Sequence, residues 1–342
     1  MSTPTPICIY GAGSIGCYLG GRLAATGAPV QLVGRERVAR ELATHGLHVT
    51  DYRGADLRVA PADLRFATQP QAAAPARLVL VTVKSAATEA AARELAPVLA
   101  PGTVVISFQN GLHNAGTLAR LLPGCTVLTG MVPFNVVARG GGAFHQGSEG
   151  NLDVAAHPAL APFLDAFVRA GLPLHEHADM RAVQWAKLLL NLNNAVNALS
   201  GVPLKAELSQ RAYRRCVALA QREALALLEA EGIRPAKLTP LPPHWFPYAL
   251  SVPDWLFRRL ANRMLAIDPL ARSSMWEDLE LGRATEVDWL NGEVVRLAQK
   301  QGRRAPVNAR LVELIREAEQ GGRRDWSGPE LLAELRRTLS GR

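Results

Sequence analysis

Long apolar runs are missing from this 342-residue sequence. No stretch approaches the roughly 20 apolar residues that a membrane-spanning helix needs, so no membrane role is expected. Cysteine is sparse. The four, Cys8, Cys17, Cys125 and Cys216, are scattered and share no CxxC or metal-ligand spacing. That argues against a disulfide framework and a zinc site and for a reduced, cytoplasmic protein. Nor is a charged-then-apolar leader expected, since the first strand-like run starts at Ile7. With no low-complexity tract or obvious repeat, 48% hydrophobic and 20% charged residues describe a globular chain long enough for two domains. Lysine is the informative shortage: of 38 basic residues only Lys84, Lys187, Lys205, Lys237 and Lys300 are lysines. A chain that nearly always chooses arginine uses lysine where a compact ammonium, able to lower its pKa on burial, is wanted. The net charge of +8 is dispersed, with no basic cluster interleaved with aromatics, so nucleic acid is not the expected partner. An anionic cofactor and substrate account for part of the positive field.

What is present begins at the first residues of the fold. Ile7 to Tyr10 is a β-rich run, Gly11-Ala12-Gly13-Ser14-Ile15-Gly16 follows, then helix-like Cys17 to Ala25, a break at Gly27 and a second strand from Pro29 to Val33. Strand, glycine turn, helix and strand in under 30 residues form a dinucleotide-binding unit. Gly11 makes the turn, Gly13 lets the backbone approach a pyrophosphate, and Gly16 lets helix pack on strand. The helix N-terminus then directs N–H groups and its positive dipole at the phosphates. After the second strand comes Gly34-Arg35-Glu36-Arg37. A guanidinium at Arg35 suits the 2′-phosphate of NADP. Glu36 could instead serve the 2′-hydroxyl of NAD, and NADP is the expected cofactor.

Leu78 to Val83 and Val104 to Phe108 are continuous apolar runs, as in parallel strands buried on both faces. The first ends in Lys84 and the second in Gln109-Asn110-Gly111. Ligands bind at the carboxyl ends of such strands, which makes Lys84 and Asn110 candidates. A surface lysine and an ordinary Asn-Gly turn are the plain alternatives. Val127 to Val137 and Leu152 to Ala155 read as further strands with Gly140-Gly141-Gly142 as the turn between them, and this α/β domain is expected to span 1–178.

From 179 to 342 no strand alternation appears, and an all-α domain is expected. Asp179 is a plausible N-cap for a helix running through Trp185 to Leu199. At about 100° per residue, Lys187, Asn191 and Asn194 fall within roughly 60° of one another, opposite a leucine and valine face. Such a stripe can be a solvent face. Against that, Asn191, Asn193, Asn194 and Asn197 crowd seven positions although asparagine is a poor helix former, which favours a wet, polar cleft. A long helix is expected over Ala206 to Glu231. Leu238 to Tyr248 is Pro-rich and aromatic and reads as a loop, serving as a plug on the helical core, a lid or a subunit contact. Helical periodicity resumes over Trp255 to Ile267, Ser273 to Gln301 and Asn308 to Glu319. Ser274 and Glu286 lie in the middle one, where a carboxylate is ordinarily a solvated face. His175-Glu176-His177 lacks a third ligand nearby, so no metal is expected.

Taken in order, GAGSIG, Arg35, Val-Thr-Val-Lys84, Gln-Asn110-Gly, Trp-x-Lys187-Leu with Asn191, and Ser-Ser274-Met followed by Thr-Glu286 resemble the ketopantoate reductase (2-dehydropantoate 2-reductase) family over nearly the whole chain. The resemblance implies a Rossmann-type α/β domain, an all-α domain of the 6-phosphogluconate-dehydrogenase-like kind for substrate and dimerisation, and an active site in the cleft between them. It implies NADPH-dependent reduction of 2-dehydropantoate to pantoate, in pantothenate and coenzyme A biosynthesis. Lys187 would be the proton donor at the ketone oxygen, with Glu286 beside it. The glycine turn and Arg35 would hold the cofactor. Lys84, Asn110, Asn191, Asn194 and Ser274 would orient substrate and nicotinamide, and a homodimer through the helical domain is left open.

Three departures bear on the substrate. The family often spaces its helix asparagines four apart, whereas Asn194 follows Asn191 by three. Two further asparagines of the family pattern are Leu204 and Ala271 here. Both changes remove polar contacts, so a reductase of another, less polar 2-oxo acid on the same scaffold is the alternative, and a non-catalytic NADP sensor the remote one. On one straight helix Ser274 and Glu286 would stand about 18 Å apart. Both can serve one small acid only if the helix breaks, as at Gly282, or begins late.

Overall fold

A computed structural model of the chain describes residues 6–260 and 271–340. The chain divides into two compact units, with the boundary between Met180 and Arg181. The first contains β1 (Ile7–Tyr10), α1 (Ser14–Ala25), β2 (Val30–Val33), α2 (Glu36–His45), β3 (Leu47–Asp51), β4 (Asp56–Val59), β5 (Arg65–Ala67), β6 (Leu78–Val81), α3 (Thr88–Leu95), β7 (Val104–Ser107), α4 (Asn114–Leu121), β8 (Thr126–Met131), β9 (Val136–Gly140), β10 (Ala143–Gln146), β11 (Leu152–Ala155), α5 (Leu164–Arg169) and β12 (Leu174–His177). Eight strands form one sheet in the order β12-β11-β8-β7-β6-β1-β2-β5. It is parallel from β8 to β5, and β11 meets β8 antiparallel.

The unbroken apolar strands are explained by burial on both faces. Ile7, Ile9, Leu78, Leu80 and Ile106 pack into one core, while Cys8, Tyr10, Val79, Val81 and Val105 pack into another. Each such fully buried aliphatic side chain contributes about 1.5–3 kcal/mol. Register places Tyr10 beside Val33 on one side and Val81 on the other, and Val81 beside Ser107. The carboxyl ends of β7, β6, β1 and β2 are therefore adjacent, and this is what positions the candidate residues of this unit.

A second sheet, β4-β3-β10-β9, has no counterpart in the sequence reading. Its strands are four or five residues long and packed on one face, a weak periodic signal. The run Val127 to Val137 accordingly divides into β8 in the large sheet and β9 in the small one. Gly140 to Gly142 turns β9 into β10, its antiparallel neighbour, rather than into β11. Arg22 of α1 is buried beneath, donating to Asp51 and Tyr18 at 2.9 Å each and to the Ala170 carbonyl at 2.9 Å.

The second unit is helical among its described residues: α6 (Met180–Asn191), α7 (Asn193–Ser200), α8 (Leu204–Leu208), α9 (Arg211–Ala230), α10 (Phe246–Ser251), α11 (Asp254–Leu260), α12 (Ser274–Glu280), α13 (Asn291–Lys300), α14 (Pro306–Glu319) and α15 (Gly328–Ser340). The single helix expected over Trp185 to Leu199 is two, divided at Leu192, whose own backbone stays helical and donates to Leu188 O. The helix expected from Ala206 is likewise divided, α8 ending at Leu208 and α9 starting at Arg211. Leu238 to Tyr248 is a loop only in part, because α10 begins at Phe246. Phe246 and Leu250 are buried, while Trp245 and Tyr248 face solvent at 53% and 62% exposure. Of the periodic run Trp255 to Ile267, residues 261–267 lie outside the described residues. Glu223 of α9 accepts from the backbone N–H groups of Val307 and Asn308 and from the Asn308 side chain at 2.8–3.0 Å, capping α14 from a neighbouring helix.

Candidate active site

The glycine turn is built as the dinucleotide pattern requires. Gly11 has φ +108°, and a Cβ there would sit 2.6 Å from the Val83 backbone nitrogen. A Cβ on Gly16 would strike the Gly11 carbonyl and the Thr82 hydroxyl. Gly13 differs, since a Cβ on it would meet nothing within 4 Å. Open space above Gly13 is what close approach of a pyrophosphate needs. Gly13 is also the N-cap of α1, and no described side chain caps that helix end. The first-turn N–H groups of Ser14, Ile15 and Gly16 have no partner within the helix, leaving them for an anion. Ala12 is buried, its N–H and that of Gly11 donating to Val33 O at 3.0 and 2.9 Å. These residues fit the diphosphate of a dinucleotide.

Arg35 follows β2 as the exposed N-cap residue of α2. Glu36 is the first residue of α2, where a carboxylate is favoured by the helix dipole. Lys84 follows β6 and is exposed, and Asn110 follows β7 and is partly buried. Between them runs a buried polar network that sequence reasoning missed. Ser85 Oγ donates to Asn110 O at 2.8 Å and Asn114 Nδ2 donates to the same carbonyl at 2.5 Å. Gln109 Nε2 donates to Val83 O at 2.9 Å and to the Thr88 hydroxyl at 2.8 Å, and that hydroxyl meets Asn114 Oδ1 at 2.8 Å. Ser85, Thr88, Gln109 and Asn114 are all 8% exposed or less. They lock the turn after β6 to the turn after β7, which sets where Lys84 and Asn110 stand. Polar residues in βα turns look like ordinary surface, so nothing in the sequence marks them as buried.

In the helical unit, Lys187 lies on α6 and is partly buried. Burial of the ammonium pulls its pKa from 10.5 down to about 8. Asn191 ends α6, and Asn194 lies in the first turn of α7; both are partly buried, and neither belongs to a fully exposed face. Asn197 is fully buried and serves the fold: its Oδ1 accepts from Ser273 N at 2.8 Å, and its Nδ2 donates to Val202 O and to Glu207 at 3.0 and 2.6 Å. Ser273 caps α12, its hydroxyl accepting from Trp276 N at 3.2 Å and donating to Asn194 O at 3.3 Å. Ser274, the exposed first residue of α12, is thereby brought beside Asn194. The expected helix from Ser273 to Gln301 does break. α12 stops at Glu280, Gly282 has φ +60°, and Glu286 precedes a short 3₁₀ turn at Val287–Trp289, so the straight-helix separation of Ser274 and Glu286 does not apply. Glu286 is partly buried, and its carbonyl accepts from Trp289 N at 3.0 Å. The histidines of β12 are occupied by hydrogen bonds, His177 with Asp153 at 2.6 Å and His175 with Asn151 at 3.2 Å.

The chain is similar to known proteins over both units. Residues 7–159 match the family described as ketopantoate reductase PanE/ApbA, and residues 179–319 match its C-terminal counterpart. The chain is 31% identical over 324 residues to a 2-dehydropantoate 2-reductase of Halobacterium salinarum, covering 92% of this chain and 99% of that one. It is 30% identical over 327 residues to a 2-dehydropantoate 2-reductase of Archaeoglobus fulgidus, covering 92% and 97%. A crystal structure of a PanE/ApbA family ketopantoate reductase from Ralstonia eutropha JMP134 superposes with a TM-score of 0.79 at 30% identity, covering 93% and 99%. With a glycine turn shaped for a dinucleotide, a desolvated lysine on α6 and both family halves matched in order, the chain belongs to the ketopantoate reductase family.

Proposed function

We propose that this chain reduces 2-dehydropantoate to pantoate with NADPH, and that Lys187 is its proton donor. The family is one of NADPH-dependent oxidoreductases acting on a ketone and alcohol pair. The first unit is the NADP-binding domain in this reading, spanning 1–178, and 179–342 is the substrate domain. Residues Gly11 to Gly16 hold the diphosphate and Arg35 the 2′-phosphate, with Lys84 and Asn110 on the nicotinamide side. Glu36 is read as a helix-end carboxylate rather than a ribose ligand, because it begins α2. The nicotinamide supplies the hydride when bound. Lys187 holds an ammonium at the ketone oxygen, stabilises the negative charge that develops there and gives up a proton. Asn110, Asn191, Asn194 and Ser274 orient the substrate, and Glu286 acts beside Lys187.

The observation that carries the reading is the Lys187 ammonium, brought by burial to about 8, where it is both charged and acidic enough to donate near neutral pH. The test is the decay of NADPH absorbance on adding 2-dehydropantoate. No decay above background would refute it.

One contact favours the second reading, a less polar 2-oxo acid. Leu204 and Ala271, the two positions where an asparagine of the family pattern is lost, are neighbours, Leu204 N donating to Ala271 O at 2.9 Å. Polarity is thus lost at one place, next to Ser273 and Ser274. A panel of 2-oxo acids graded in side-chain polarity separates the readings by kcat/KM. A cytoplasmic setting belongs to this reading, and the free thiols of Cys8, Cys17, Cys125 and Cys216 support it. Among the described residues no helix is long and apolar enough to cross a membrane. A homodimer through the helical unit is supported by the exposed Trp245, Tyr248 and Trp255, and size-exclusion chromatography tests it.

A further inference from the structure

Glu207 is a carboxyl group in an unusual position. It lies on α8 with no exposed surface, yet its Oε1 has no hydrogen-bond partner. Its Oε2 accepts from Asn197 Nδ2 at 2.6 Å. The Asn193 side chain neighbours the carboxyl with its amide N–H turned toward it, and Asn193 Oδ1 is itself a buried acceptor without a donor. The remaining titratable groups that face Glu207 are Tyr213 and Cys216 of α9, so among the described residues no cation is there to balance a carboxylate. Two orphan acceptors on neighbouring side chains call for one proton between them. A buried anion with an unpaired oxygen is the arrangement proteins avoid. A neutral acid whose Oε1–H donates to Asn193 Oδ1, with the Asn193 amide turned over, satisfies both oxygens at once. Amide orientation follows the hydrogen-bond network.

The consequence runs outward through Asn197. Its Oδ1 must face the Ser273 N–H, so its Nδ2 must face Glu207. Ser273 in turn caps α12 and bonds Asn194 O. Glu207 is thus the innermost link of a chain that ends at Asn194 and Ser274, the residues placed on the substrate in the proposed function.

We propose that Glu207 is a positioning residue which acts as the neutral acid: it donates to Asn193, accepts from Asn197 and so holds the start of α12 and Ser274 against α7 for an anionic 2-oxo acid. This rests on the functional reading above. Ionisation of Glu207 puts an unpaired negative charge beneath the substrate-binding residues and weakens substrate binding, with the hydride step untouched. Burial raises the carboxyl to about 8, so the loss falls in an accessible range.

The experiment is steady-state kinetics with 2-dehydropantoate at saturating NADPH from pH 6 to 9.5, on the wild type and Glu207→Gln. Glutamine reproduces the neutral acid, with one donor toward Asn193 and one acceptor toward Asn197. The wild-type KM should rise at least fivefold between pH 7 and 9. That of Glu207→Gln should match the wild type within a factor of two at pH 7 and stay flat, while the alkaline fall in kcat due to Lys187 persists in both. A KM for Glu207→Gln that rises in parallel, or is tenfold higher at pH 7, overturns the proposal. If the variant does not fold, Asn193→Ala, which removes the acceptor of the proton, should raise KM severalfold at pH 7 and leave kcat within twofold; an unchanged KM overturns it. If the wild type turns over no 2-dehydropantoate, it is the functional reading that fails, and thermal unfolding decides for Glu207. The wild-type Tm should then fall from pH 6 to 8 relative to that of Glu207→Gln, and parallel profiles would refute the neutral acid.

Discussion

Lys187 is where residue chemistry commits most. An ammonium brought to about 8 is protonated at neutral pH and becomes an inactive amine above it. kcat should therefore hold on the acid side and fall as pH rises through about 8. Lys187→Ala should lower kcat by about 10²–10⁴, the span of a general acid, with NADPH still bound. Lys187→Arg should fare almost as badly, because guanidinium does not release a proton near neutrality. More than a tenth of the wild-type kcat in Lys187→Ala would leave the proton to another group. Arg35 is read by the same logic. A charge-assisted contact is worth about 1.5–3 kcal/mol, so Arg35→Ala should weaken NADPH binding roughly ten- to a hundredfold and leave NADH nearly unchanged. Fluorescence titration with both cofactors checks it, and equal loss would make Arg35 structural. The sequence offers both as candidates, Lys187 because lysine is scarce and because its stripe is asparagine-rich, Arg35 because it follows a strand that follows a glycine turn.

Elements are held by polar groups that the sequence does not advertise. Glu223 on α9 satisfies two of the N–H groups that α14 leaves open at its N-terminus, and it does so across 84 positions of chain. Glu223→Ala should cost about 1–3 kcal/mol, through loss of the cap and exposure of unpaired donors. Urea denaturation should show the loss, with NADPH affinity, which the proposed function assigns to the other unit, unchanged. The helix breaks at Leu192 and between Leu208 and Arg211 were missed because the apolar periodicity continues through them. That at Gly282 could be seen, since glycine alone accepts φ +60° cheaply. The small sheet escaped notice for the opposite reason. Its strands are too short for alternation to stand out from loop.

At the scale of the whole molecule, two ionisable groups shifted by desolvation, Glu207 and Lys187, oppose the fold. Glu207 has a folded value near 8 against an ordinary 4.5, so its contribution is fully present below about pH 4.5 and is lost as pH rises to 8. Lys187 has a folded value near 8 against 10.5, so its contribution is present above about 10.5 and is lost as pH falls to 8. From these two groups alone, stability is least near pH 8. Neutralising either, by Glu207→Gln or Lys187→Met, should stabilise the chain there by about 1–4 kcal/mol. Denaturant titrations at pH 6, 8 and 10 measure it. Variants no more stable than the wild type at pH 8 would mean that neither group is desolvated. Such a cost is expected where a residue is kept for function rather than packing.

The sequence by itself determined the kind of protein this is. A glycine turn between strand and helix, apolar runs buried on both faces, and helical periodicity beyond residue 179 are local patterns. Local patterns suffice because backbone geometry and hydrophobic period act over a few residues. The order of motifs determined the family for the same reason, since each motif is short. Tertiary structure alone decided which polar residues are inside. Four asparagines between 191 and 197 look alike in a row of letters. Only packing turned Asn197 inward to join Glu207 to Ser273, left Asn191 and Asn194 partly open, and set Leu204 against Ala271, 67 positions away. Burial is a property of what arrives from elsewhere in the chain. The downward shift of Lys187 and the upward shift of Glu207 follow from that burial.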